Sequence, residues 1–195
     1  MPHRSLQIIR DEHVSLITML RSMRQLVEQG PGDDSPQFFD VLRGMLFYID
    51  EFPERQHHPK ETNLLFPRVV QVAPHLTDLV AQLERDHVSG EAAVRELQHL
   101  LLAWELLGES RRPAFEVQCM QYVAFLKEHI RLEETVILPE AEKSLSAADW
   151  KALDSAFEQN RDPLSGRYPP NPAYDRLFTR IVMRTAGASG WGTVA

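Results

Sequence analysis

The sequence predicts an all-α fold: an antiparallel up-down-up-down four-helix bundle, then one short extra helix and an irregular C-terminal tail. Three observations predict it. Four long segments carry apolar residues at alternating steps of three and four, the period of an amphipathic helix. Glycine or proline punctuates the joins between them. Three copies of His-x-x-x-Glu, at His57/Glu61, His87/Glu91 and His129/Glu133, each set both side chains on one helical face.

The first segment places Leu6, Ile9, His13, Leu16, Leu20, Met23 and Val27 on one stripe and stops at Gly30, before the turn-rich GPGDDSP. The second starts near Gln37 and runs through Leu42, Leu46, Ile49 and His57 to about Val72. Pro53 and Pro59 remove backbone donors from it, so it must kink or restart there. The third, from about His75, aligns Leu76, Val80, Leu83, His87, Gly90, Val94, Leu97 and Leu101. The fourth opens near Pro113, a natural first-turn residue, with the stripe Phe115, Gln118, Tyr122, Phe125, His129, Leu132 and Val136. Ser146, with Asp149 three residues on, starts a short fifth helix in a capping-box-like pattern. From Asn160 the chain is rich in proline and glycine, with an amphipathic stretch at Tyr174–Met183 that could meet a partner or a second copy.

A chain of 195 residues with 43% hydrophobic content can bury one good core. Residues 1–145 read as the bundle and 146–195 as an extension that packs on it or mediates contacts. The net charge of −7 leaves no basic surplus to neutralise phosphates, which argues against nucleic-acid binding. No stretch approaches the roughly 18 apolar residues of a membrane span. The N-terminus, MPHRSLQIIRDEH, becomes charged before a signal-like apolar core can form. The single cysteine, Cys119, reads as a packing residue and fits a reducing compartment. The expectation is a cytoplasmic protein.

In an antiparallel hairpin, residues equally far from the turn lie at one height. His13 and His57 reflect about position 35, Glu61 and His87 about 74, and Glu91 and His129 about 110. All three centres fall on expected turns, so the four histidines and three glutamates share one layer. Buried carboxylates without partners cost several kcal/mol each, and a dication offsets that cost more fully than hydrogen bonds do. Seven donors suit two five- or six-coordinate ions. Imidazole and carboxylate without thiolate favour iron or manganese over structural zinc, and Glu61 and Glu133 are placed to bridge. Glu91 completes the set, although a solvated glutamate beside Gly90 would give the same pattern. Glu134 is an alternative to Glu133. His58, about 100° round the helix from His57, reads as supporting or exposed, and His3, His75 and His99 as surface.

The segments DEHVSLITML, DEFPERQHHPKETNLLFPRV, LERDHVSGE and FLKEHIRLEETVILPEAE together resemble the hemerythrin-like, HHE cation-binding domain over roughly residues 5–142. The resemblance implies a non-haem di-iron centre, with His13 and His57 on one iron, His87 and His129 on the other, and Glu61 and Glu133 bridging. It also implies reversible binding of dioxygen, or sensing of oxygen, nitric oxide or redox state. Oxygen-carrying members have a further histidine where this chain has Glu91, and extra carboxylate shifts the centre towards redox-active or sensing members. The leading expectation is thus a di-iron protein that binds dioxygen or a related small oxidant, with manganese or zinc as substitute metals. A di-iron oxidase or peroxidase-like enzyme, and a metal-stabilised interaction module without catalysis, are the alternatives.

Overall fold

A computed structural model describes residues 3–165, and residue 179 singly. Every regular element among the described residues is helical. Helix α1 (Arg4–Gln29) buries the whole expected stripe from Leu6 to Val27 and ends where Gly30 takes φ 73°, a left-handed conformation that glycine adopts without penalty. Helix α2 (Ser35–Ile49) opens on Asp34, whose side chain accepts a hydrogen bond from the Gln37 N–H at 3.1 Å, with Pro36 in its first turn.

The prolines do not interrupt the second column. It continues as a π-helical stretch, Asp50–His57, then a single turn α3 (His58–Lys60), a second π-helical stretch, Glu61–Leu65, and α4 (Phe66–Val72). A wider turn, with its hydrogen bond five residues back as from the His58 N–H to the Pro53 carbonyl, absorbs the irregularity that the sequence led us to expect as a kink or restart. The fourth column repeats the device. Helix α5 (Thr77–Leu107) leads through a short 3₁₀ turn to α6 (Arg112–Leu132), a π-helical stretch Glu133–Ile137, and α7 (Leu138–Ser144). In both columns a glutamate begins the π stretch and a proline, Pro67 or Pro139, follows six residues later. Helix α8 (Ala147–Phe157) starts on the expected Ser146–Asp149 capping box.

Contacts of α1 with α2, α2 with α5, α5 with α6 and α6 with α1 close a ring of columns, consistent with a four-helix bundle. Helix α8 docks on α1. Two apolar clusters fill the interior. One contains Leu16, Met23, Phe38, Leu42, Leu46, Leu97, Trp104 and Phe115, and the other Leu6, Ile9, Phe66, Val69, Leu83, Ile137, Trp150 and Phe157. The fourth column is rotated from the expected stripe: Cys119, Leu126, Ile130 and Ile137 are buried, whereas Gln118, Phe125, Leu132 and Val136 are only half-buried. No helix among the described residues is long and apolar enough to cross a membrane. The Tyr174–Met183 stretch lies outside the described residues.

Candidate metal centre

Between the two apolar clusters lies a polar layer that hydrophobic packing alone would not select. His13, His57, His58, Glu61, His87, His129 and Glu133 are all buried there, Glu61 and Glu133 completely. Helix α1 supplies His13, the two π-interrupted columns supply His57, His58, Glu61, His129 and Glu133, and α5 supplies His87.

The carboxylates span two groups of imidazoles. Glu61 Oε1 lies 3.2 Å from His57 Nε2 and 4.0 Å from His13 Nε2, while its Oε2 lies 3.6 Å from His87 Nε2. Glu133 mirrors this arrangement. Its Oε2 is 3.4 Å from His13 Nε2, and its Oε1 is 3.1 Å from His129 Nε2 and 3.8 Å from His87 Nε2. The Nε2 atoms of His13 and His57 approach to 3.2 Å, and those of His87 and His129 to 3.1 Å. His58, His87, His129 and Glu61 offer ligand atoms within 4.8 Å of one another, as do His13, His57 and Glu61.

Outside the layer, hydrogen-bond partners hold the opposite ring nitrogens of four of the five imidazoles. Nδ1 of His13 meets Glu134 at 2.8 Å, that of His57 meets Glu12 at 2.7 Å, and that of His58 meets Glu54 at 3.0 Å. His87 Nδ1 is hydrogen-bonded with Thr62 Oγ1 at 2.7 Å, and His129 Nδ1 faces Asp86 at 3.6 Å. A proton held at Nδ1 leaves the Nε2 lone pair pointing into the layer, the tautomer a metal requires. Both oxygens of Glu61 and of Glu133 are buried without a hydrogen-bond partner. Four such carboxylate oxygens, facing converging imidazole nitrogens, fit one or two cations.

The charges respond to this crowding. Burial disfavours the charged form of His13, but Glu133 and Glu134 outweigh it and raise its pKa to about 9. His57 is raised well above its usual range, because Glu61 and Glu12 overcome burial, and Glu133 raises His129 against the same opposition. Burial lowers His58 and His87, with positive neighbours adding to the effect. Glu133 is driven well below the carboxylate range despite burial, chiefly by His129. Glu54 goes the other way, to about 7, because it is buried.

Six of the expected residues, His13, His57, Glu61, His87, His129 and Glu133, come together. Glu91 does not: its side chain is 47% exposed and paired with Arg95. The core step after His87 is three residues, to Gly90, so position 91 turns outward, and Glu54 fills the space opposite Gly90. His58 enters the layer instead, stacked on His87 with ring centroids 4.2 Å apart. An α-helical angle places it off the stripe. The π-helical stretch ending at His57 widens the turn and brings both adjacent rings inward. The adjacent His57 and His58, flanked by Pro53 and Pro59, were the available signal. Glu134 serves as the outer partner of His13 rather than as a substitute for Glu133. His75 and His99 are exposed, as expected, whereas His3 stacks on Trp150.

The family described as "Hemerythrin HHE cation binding domain" matches residues 4–141. Similar curated proteins include the uncharacterized proteins Rv1995 and MT2051 of Mycobacterium tuberculosis and Mb2018 of Mycobacterium bovis. Each is 25% identical over 148 residues, covering 75% of this chain and 57% of the relative. The chain thus spans just over half the length of these relatives. The family match runs from the start of α1 to α7 and contains every residue of the buried imidazole and carboxylate layer, so this chain belongs to the hemerythrin HHE cation-binding domain family.

Proposed function

We propose that this protein is a non-haem di-iron protein built on an up-down-up-down four-helix bundle within residues 1–145, carrying the extension 146–195. In this reading His13 and His57 would hold one ion, His58, His87 and His129 would hold the other, and Glu61 and Glu133 would be shared between them. Iron bound there would supply reversible redox chemistry towards dioxygen or a related small oxidant such as nitric oxide. The protein's own residues orient the imidazoles through their Nδ1 partners, exclude water with the two apolar clusters, and balance the cations with buried carboxylates.

One observation carries the small-ligand reading. A cavity beside His13 and His57, lined also by Leu16, Tyr48, Phe52 and Pro53, has space for a molecule about the size of water. Its mainly apolar wall, completed by Glu12, Gln56 and Asp162, suits a diatomic ligand. Oxygen or redox sensing and iron-dependent redox protection are the outputs such a site supports.

Metal analysis of protein purified from iron-replete cells should find two irons per chain, and azide should shift the visible absorption of the oxidised protein. Fewer than one iron per chain would refute the proposal. Cycling the reduced protein between oxygen and vacuum separates a binding protein, whose spectrum returns, from an oxidase, whose reducing equivalents are consumed.

A further inference from the structure

We propose that Asn160, which lies beyond the family-matched residues 4–141, is a positioning residue of the metal centre: it holds Glu12, and through Glu12 it fixes His57. Asn160 is 1% exposed. Its Nδ2 donates to Glu12 Oε2 at 2.9 Å, and the same oxygen accepts from His57 Nδ1 at 2.7 Å. On the other side of the amide, Lys60 donates to Asn160 Oδ1. An ammonium can only donate and a carboxylate can only accept, so these two partners fix which way the amide points.

The segment carrying Asn160 is anchored at both ends. The Asn160 N–H donates to the Phe157 carbonyl at 2.9 Å, and the Phe157 ring lies edge-on to the His57 ring at 6.2 Å. Helix α8 is tied to α1 where the Ser5 N–H and hydroxyl each donate to Asp154 at 2.7 Å. Two residues beyond Asn160, Asp162 accepts from the buried Tyr48 hydroxyl at 3.0 Å and forms part of the wall of the small cavity beside His57. A carboxylate that accepts from a ligating histidine orients the ring and raises its basicity, and removing such an outer partner costs roughly 10–100-fold in metal affinity. Asn160 acts one bond further out by keeping Glu12 on His57. The extension therefore completes the His13/His57 side of the centre.

This inference rests on the metal reading above, and the test separates the two. Full-length, metal-free protein is titrated anaerobically with Fe²⁺ against a chromophoric chelator, and in parallel loaded with Co²⁺ for its visible d–d spectrum. The wild type should bind two ions. Asn160→Asp keeps the side chain's size but turns an acceptor towards Glu12. It should weaken one ion about tenfold or more, leave the other within about twofold of wild type, and alter the Co²⁺ spectrum, while the metal-free melting temperature falls because a second carboxylate is buried beside Glu12. Asn160→Ala should have the same effect on the ions, and Lys60→Met, which frees the far end of the amide, should weaken the same ion by a smaller factor. If Asn160→Asp and Asn160→Ala fail to fold, the Lys60→Met titration decides. Variants that bind both ions as wild type does, with an unchanged Co²⁺ spectrum, overturn the role of Asn160 and leave the metal reading standing. A wild type that binds no Fe²⁺ overturns the metal reading itself.

Discussion

Four of the five imidazoles in the layer turn Nε2 inward with a hydrogen-bond partner on Nδ1, namely Glu134, Glu12, Glu54 and Thr62 for His13, His57, His58 and His87 in turn, while His129 Nδ1 only faces Asp86 at 3.6 Å. The donor set therefore depends on which histidines have such backing and inward aim, and spacing alone does not report that. His58 has both, and Glu91 has neither. His58→Ala should lower iron content towards one per chain or weaken the second ion about 10-fold or more, whereas Glu91→Ala should leave two irons. Elemental analysis distinguishes these outcomes, and loss of an iron in Glu91→Ala would restore Glu91 as a ligand. Protons compete for the same nitrogens. Because metal-free His13 holds its proton up to about pH 9, metal binding at neutral pH must displace that proton. Iron affinity should thus rise with pH towards about 9 and fall below it. Adding metal to weakly buffered protein at pH 7.5 should release protons, and pH-independent affinity would contradict this assignment.

At the scale of the elements, the π-helical stretches set how the side chains around His57, His58, Glu61 and Glu133 are aimed. The sequence marks them only through Pro53, Pro59, Pro67 and Pro139, residues that an α-helix tolerates poorly away from its first turn. The structure resolves each as a wider turn within a continuous column. Helix α5 contributes differently, by yielding space. A Cβ on Gly90 would stand 3.1 Å from Glu54 Oε1, and Glu54 is the outer partner of His58 and accepts from the Tyr122 hydroxyl at 3.2 Å. Gly90→Ala gains about 1 kcal/mol of helix propensity but must displace Glu54 by a few tenths of an ångström. The variant should fold with a nearly unchanged melting temperature and bind the His58-side ion several-fold more weakly. Unchanged iron affinity would show that Glu54 does not position His58.

Over the whole molecule, the polar layer divides the apolar interior, so the centre couples the two clusters. Metal-free protein keeps buried carboxylate oxygens without partners, and metal that binds only the folded state stabilises it by about 2.7 kcal/mol at a hundredfold excess over Kd. Chelating the metal should lower the melting temperature by roughly 5–10 °C, measured by calorimetry. An equal melting temperature with and without iron would mean that the centre does not stabilise the fold. The second cluster reaches beyond the family-matched span, because Trp150, Leu153 and Phe157 of α8 are buried in it. Trp150→Ala should cost about 3–5 kcal/mol, read from urea unfolding. A cost under about 1 kcal/mol would make α8 a dispensable appendage.

The helical periods, the joins and the common height of His13, His57, Glu61, His87, His129 and Glu133 were legible in the chain, because hydrophobic period and turn chemistry are local properties. The rotation of α6, the inward aim of His58 and the outward turn of Glu91 were not. Each depends on a small change of helical angle set by what packs opposite: Glu54 against Gly90, or a wider turn beside a proline. Asn160 was legible only as the start of a proline-rich tail. Its place on Glu12 arises because α8 docks on α1 and returns the chain to His57, a contact between residues 148 positions apart that no local pattern encodes.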